Sequence, residues 1–492
     1  MTIGSQVSLN SRMAAGYVRP AGQLDVTTAL QPYTGPWSDR LAAHLLRRAG
    51  FSGTPDEVAR IAAMQPHDAA ESLIHFTAPP NDAPSVMDYP DLRRGVFMGM
   101  SDEQKRDAAR ARRQEAVLNI RDLQLWWLNR MLTTSAPLQE KMTFFLHGHF
   151  TTAAIQKGVW PNLVLQQNQL LRQYALGNLH DLSLAVSKDP AMLLYLDNAE
   201  NNKSHPNENY ARELMELFTL GIGNYTEEDV RQSARAFTGW TIDRRTGAFF
   251  NNARAHDDGT KTFLSRNGNF DGTAIVDIIY QQRAAEKFWS TSLLSAFVYN
   301  DPEPELVDAF ANVISRNHFE LAPVMSTLLR SNVFYADRAY RALVKSPVEF
   351  AIGAHKQMGV NKIMEGTPAA LREMGQILFY PPNVAGWPGG ANWLTSQMLI
   401  ARENFVTRLM NAPDMAQASW IGSVPLDATS ASRELVAKIL QGDAPAQAYA
   451  QLVAYLNGAG TSALGLLSAE NYEERVRGAA YLTMAMPAYQ LG

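Results

Sequence analysis

Residues 101–132 read SDEQKRDAARARRQEAVLNIRDLQLWWLNRML. The stretch predicts one long helix with two characters. Its first half is charged, and its second half carries Leu123, Trp126, Trp127, Leu128 and Met131. An apolar half of that kind enters a core, while the charged half stays at the surface. Arg110, Arg112 and Arg113 then read as a solvated helix face, with contact to a polyanion as the alternative.

The same spacing extends outward from this helix. Upstream, Leu41, His44, Leu45 and Arg48 recur at helical intervals after Trp37-Ser38-Asp39, and Gly50 stops the run. Thr54-Pro55-Asp56-Glu57 opens a second helix with an N-cap, a proline at the first position and acids in the first turn. Residues 77–100 carry Pro, Asn and Asp without periodicity and read as a long loop. Downstream, helices are predicted over 138–147, 160–176, 179–187, 190–197, 207–220 and 226–238. Thr226-Glu227-Glu228-Asp229 resembles a capping box, with Asp in the place of Glu or Gln. Between Trp240 and Phe270, short Thr/Phe/Ile runs alternate with turn pairs such as Asp-Gly and Asn-Gly, which predicts one or two β-hairpins. Helical spacing returns from Thr273, and prolines then punctuate successive helices. Residues 377–395 (ILFYPPNVAGWPGGANWLT) are too rich in Pro and Gly to be helical.

The class is therefore mainly α: a large multi-helix domain with a small β-hairpin insertion around 238–270. The expected organisation is an N-terminal arm over 1–36, a helical core domain over 37–410, and a C-terminal helical segment packed on the core over 411–492. No repeat recurs at a fixed period.

Composition narrows the chemistry. The 492 residues are 46% hydrophobic and 19% charged, enough for an ordinary globular core. A net charge of -4 argues against a dedicated nucleic-acid binder, which shows a basic excess or stripe. The absence of cysteine excludes disulfides, thiolate zinc sites, iron–sulfur clusters and a cysteine nucleophile. Any metal must be held by His, Asp, Glu, amides or water. No run of ~18 apolar residues occurs, so no membrane span is expected. The N-terminal residues show neither an apolar h-region nor twin arginines, so no signal peptide is predicted and a cytoplasmic location is the default. No P-loop, dinucleotide fingerprint, nucleophile elbow or H-E-x-x-H motif is present.

Several polar clusters remain as candidates. Asp197 through Glu208 (DNAENNKSHPNE) lies between two helices and is rich in the oxygen donors that Ca²⁺ and Mg²⁺ take. Asp197, His205 and Glu208 are its candidate ligands, but the match to a calcium loop is weak, and a polar turn capping the next helix through Asn207 is the plainer reading. On that helix, Glu208, Arg212, Glu213 and Glu216 fall on one side. They form either a surface ladder or a carboxylate-lined wall on which Glu213 and Glu216 work as acid and base. Phe144 through Thr152 contains His147-Gly148-His149. In a helix the two rings point about 200° apart. Gly148 suggests that the helix ends here, which would let both turn toward one metal. Burial in an aromatic core is the alternative. His256 and Lys261 gather a base and a cation on a hairpin turn. Trp387 and Trp393 could stack on a sugar or peptide, or peg their loop to the core.

These stretches resemble one family, the bacterial domain-of-unknown-function family numbered eighteen hundred. The match is carried by Ala43 to Phe51, Phe144 to Thr152, Asp189 to Leu193, Asn207 to Gly221, Tyr225 to Trp240, His256 to Gly272, Lys345 to Glu349 and Pro381 to Trp393. The resemblance implies a mainly helical bacterial protein that often occurs beside an alkaline-phosphatase-like or sulfatase-like family. It also implies an export signal, which is not found in this sequence.

Two functional classes follow. The first is a metal- or carboxylate-dependent hydrolase acting on a sugar, sulfate or phosphate ester. Glu213 or Glu216 would be its base, Arg212 and Lys261 its anion contacts, and His147, His149, His205, Glu208 and Asp197 ligands of a divalent metal ion. His256, Trp387 and Trp393 would bind the small-molecule or glycan substrate. The second is a non-catalytic binding protein that partners a neighbouring alkaline-phosphatase-like protein, through which a periplasmic location would arise.

Overall fold

The computed structural model describes residues 25–88, 99–412, 427–458 and 472–492. The helix predicted from the opening stretch runs over Asp102–Thr133. Ser101 accepts a hydrogen bond from the Gln104 amide, and the Gln104 side chain accepts one from the Ser101 amide. Its charged half is exposed, and from Ala116 onward it buries Ile120, Leu123, Trp127, Leu128 and Met131 in the core. The box predicted at Thr226–Asp229 closes, with Asp229 in full reciprocal geometry, and the N-cap predicted at Thr54 proves to be a capping box with Glu57.

Against this helix pack Pro137–His149, Pro161–Gln173, Pro347–Gln357 and Thr367–Glu373. The core is one contiguous apolar cluster that extends from Ala29 to Tyr489. The helices Ala428–Leu440, Ala446–Asn457 and Tyr472–Ala485 pack on one another, and Val436, Ile439 and Met484 join that cluster. Residues 1–24 of the expected arm lie outside the described residues. The part that is described forms a short helix, Val26–Ala29, and places Tyr33 against Tyr335 with ring centroids 5.0 Å apart.

Among the described residues the strands form two antiparallel hairpins, both in the predicted insertion. Trp240–Ile242 pairs with Phe249–Asn251, and Lys261–Phe263 pairs with Arg266–Gly268. Gly239 introduces the first at φ +85, where a Cβ would lie 2.6 Å from the Asn252 carbonyl oxygen.

Two expectations are corrected. Gly148 does not end its helix, which continues through His149; the Phe150 amide still bonds the Leu146 carbonyl at 2.8 Å. The segment 207–220 is not one α-helix. It is α-helical over Asn209–Glu213 and π-helical over Leu214–Thr219. The Leu220 amide reaches back to Met215 at 2.9 Å, and Thr219 Oγ1 donates to the Leu214 carbonyl. The wider turn breaks the 100° spacing on which the one-sided carboxylate face was drawn.

Candidate functional site

Four helices, the fourth being Arg283–Phe297, and the segments between them border a cavity of about 580 Å³. Arg47 and Arg48 enter from the end of Asp39–Arg48, and Lys141, Phe144 and His149 from Pro137–His149. Residues 343–346 lead into Pro347–Gln357 and bring Lys345 and Glu349. The glycine-rich loop adds Trp387 and Trp393. That loop closes on the Pro137–His149 helix because Gly386 has no side chain: a Cβ there would lie 2.5 Å from the Gly148 carbonyl oxygen.

Among side chains the lining carries four cations and one carboxylate, and the terminal residue Gly492 borders it as well. Glu349 belongs to a capping box, where it accepts the Ser346 amide at 2.7 Å, and it also pairs with Lys141. Burial opposes its ionised form, but Lys141 and the Ser346 amide hold its carboxyl below the usual range. No second side-chain carboxylate lines the cavity. Arg48, 3% exposed, donates Nη2 to the Val298 and Ala339 carbonyls at 2.7 and 2.8 Å. Its Nε is buried without an acceptor. Burial lowers its guanidinium pKa to about 9, with Arg47 adding to the effect and Glu349 opposing it. Arg47 bonds Gln441 through Nη1 at 2.6 Å, while its Nε and Nη2 find no acceptor. Buried donors left unpaired on cations are costly, and these three are shielded from the cavity itself, which meets the net positive charge rather than these atoms.

The residues singled out from sequence separate. Trp387, Trp393 and His149 line the cavity. Both histidines stay helical, so their rings meet different neighbours. His147 is buried among Trp127, Phe379 and Trp387, and its Nε2 accepts the Phe379 amide at 3.2 Å. His149 Nε2 bonds the Phe218 carbonyl at 2.9 Å, in the π-helical turn. Burial depresses both, to about 3 and about 4, so both are neutral at pH 7.

Asp197 pairs with Lys157 at 2.7 Å and accepts from Asn209 at 3.3 Å. His205 is exposed in a turn closed by Asn202. Arg212 is held by Glu227 at 2.8 and 2.9 Å and by Glu208 at 3.1 Å. Glu216 accepts the Tyr225 hydroxyl at 2.9 Å. Glu213 is raised above the usual carboxyl range by burial and then by the Glu216 charge. His256 Nδ1 bonds the Thr238 carbonyl at 2.8 Å. Lys261 is buried, and its ammonium donates to the Asp257 and Gly259 carbonyls at 2.5 and 3.0 Å. Among the described residues no three His, Asp or Glu side chains are grouped to hold a metal ion.

Arg47, Arg48, Lys141, Lys345 and Glu349 were not marked as site residues in the sequence reading. Arg47 and Arg48 end a helix, where basic residues are expected for the dipole alone. The available signal was their place on a helix whose other residues are largely buried, next to the buried Phe51. A family model described as "Protein of unknown function (DUF1800)" matches residues 44–491. No curated protein and no solved structure gives a significant match.

Proposed function

We propose, for a chain that belongs to the DUF1800 family of proteins of unknown function, that it binds a small anionic ligand of the sugar sulfate or sugar phosphate class. The observation that carries this is the cationic excess buried on one cavity that also has a tryptophan rim. Arg48 and Arg47 supply the anion contact, since a guanidinium fork matches the oxygens of sulfate and phosphate. Trp387 and Trp393 supply flat apolar faces for a sugar ring. Recognition without turnover is the class this arrangement favours, in line with a binding protein that hands its ligand to a neighbouring enzyme.

Calorimetry with a sulfated, a phosphorylated and a neutral monosaccharide tests the reading. Binding of the charged pair, absent for the neutral sugar and lost in Arg48→Met, is expected. Equal binding of all three, or charged binding that survives Arg48→Met, overturns it.

A second reading keeps hydrolysis of a sugar, sulfate or phosphate ester at Glu213 and Glu216. The raised Glu213 carboxyl beside the π-helical turn favours it, because a general acid needs such an environment. Ester hydrolysis that disappears in Glu213→Gln would support it; hydrolysis unaffected by that change, or none in the native chain, would remove it.

A further inference from the structure

We infer that Lys345 is the reactive amine of the cavity and takes the carbonyl group of an anionic aldehyde or oxo acid as an imine. The inference rests on the anion-binding reading above and names a second functional group in the ligand.

The main chain at Lys345 is pinned on both sides. Its amide donates to the Gln490 carbonyl at 2.9 Å, and its carbonyl accepts Arg402 Nη2 at 2.7 Å. The side chain is 5% exposed, and its Nζ lies 3.8 Å from the centre of the Tyr489 ring. Other buried lysines are engaged by oxygen. Lys141 pairs with Glu349, Lys356 pairs with Glu57, and Lys261 is wrapped by two carbonyls. Among the described residues no oxygen lies within hydrogen-bond or ion-pair reach of Lys345 Nζ, although the residue lines the cavity.

The charged groups around it come from four elements. Arg47 faces it from Asp39–Arg48, Arg341 from the segment just before it, and Arg402 from Ser396–Met410. Glu349, on the following helix, is the opposing charge, and Lys141 already engages it. Tyr489 packs against it from Pro487–Gln490. Burial and the three guanidiniums hold the amine well below the ordinary lysine range. An amine that sheds its proton more readily than an ordinary lysine is the better nucleophile toward carbonyl carbon.

The step balances without an oxidant or reductant. The Nζ lone pair forms a C–N bond to the carbonyl carbon, and the C=O π pair moves to oxygen, which takes up a proton. The carbinolamine then loses water as C=N forms, so amine plus carbonyl gives imine plus water. Arg48 would hold the carboxylate, sulfate or phosphate of the same molecule on the cavity wall.

Glyoxylate is a suitable probe, being a small anion with an aldehyde. The full chain is incubated with glyoxylate and borohydride near pH 7, where hydride reduces C=N to a stable secondary amine. Peptide mapping then locates the adducts. Lys345 should be modified at least about tenfold faster than exposed lysines, since each unit of lowered pKa raises the free-amine fraction about tenfold. Excess inorganic sulfate should slow this labelling, and Arg48→Met should slow it for glyoxylate but not for propanal. Labelling of Lys345 at or below the rate of surface lysines overturns the inference.

A separate thermal-shift titration with sulfate keeps the two readings apart. Sulfate binding without Lys345 labelling sinks only the imine. Fast Lys345 labelling that sulfate does not slow, with no sulfate binding, sinks the anion site. Lys345→Met should abolish the adduct, and the mapped site in the native chain decides the matter if that variant fails to fold.

Discussion

Glu140 and Lys141 are consecutive residues on the Pro137–His149 helix, and they belong to two opposite kinds of buried charge. Glu140 is fully buried and closed on itself. It accepts from Arg130 at 2.7 Å, from Arg172 at 2.7 and 3.0 Å, and from the Trp127 indole at 2.9 Å. Burial would raise its carboxyl, but these donors outweigh it and hold it low. Lys141 pairs with Glu349 at the wall of a cavity whose other lining cations make no ion pair with a lining side chain. A network whose donors and acceptors are matched inside the protein serves stability. A network left short of anions inside the protein is completed from outside, which is the physical meaning of a binding site.

That contrast can be broken most sharply at Glu140. Glu140→Gln should destabilise the chain by about 3–5 kcal/mol, because buried Arg172 loses its counter-charge and Arg130 keeps only Asp82. Urea melts read this directly, and added sulfate should not restore it. A loss under about 1 kcal/mol would mean the closed network is no more structural than the open one.

Asp189 is the reverse of the cavity, a buried carboxylate without a cation. It accepts from Gln167 at 2.8 Å and from the Met192 amide at 3.0 Å, and its Oδ1 has no partner. Burial raises its pKa to about 7. The unfolded carboxyl titrates near ~3.9, so the folded state holds the extra proton between about 4 and 7. This contribution to stability is complete below about pH 4 and is lost as pH rises through about 7. Asp189→Asn should therefore flatten the pH dependence of stability in that window by an amount on the order of 2–4 kcal/mol. An unchanged slope would show that Asp189 is ionised in the fold.

Smaller effects sharpen the other side. Arg48→Met should change stability by about 1 kcal/mol or less, since relief of a desolvated cation among cations offsets two lost carbonyl bonds. The same variant should lose the gain in melting temperature that sulfate gives the native chain. The smallest effect belongs to the surface carboxylates. Glu216→Gln should change stability by about 0.5 kcal/mol or less, as the amide oxygen can still accept the Tyr225 hydroxyl. A large loss there would make the π-helical turn a structural charge site like Glu140.

The secondary structure was legible in the sequence because its signals are local. Ser101–Gln104 and Thr226–Asp229 announce their helices within four residues, and the turn pairs between Trp240 and Phe270 announce the hairpins. The π-helical turn was not legible, since a Phe218 carbonyl bonded to His149 is a contact between distant segments. For the cavity, Trp387 and Trp393 stand out in a Pro/Gly-rich loop, whereas the ion pairs that join Arg212 to Glu227 depend on a second helix and leave no local pattern.

What the sequence determined by itself was the mainly helical class, the place of the β insertion and the family, through periodicity, caps and motif order. What only the tertiary structure decided was which charges matter. Arg48 and Arg113 are equivalent letters on helical stretches, yet one is sealed against the Val298 and Ala339 carbonyls and the other is exposed to water. The strength of a charge depends on the dielectric around it and on the partners it finds. Both are set by residues hundreds of positions away, such as Val298, Ala339 and Glu349 for Arg48, and no local pattern encodes them.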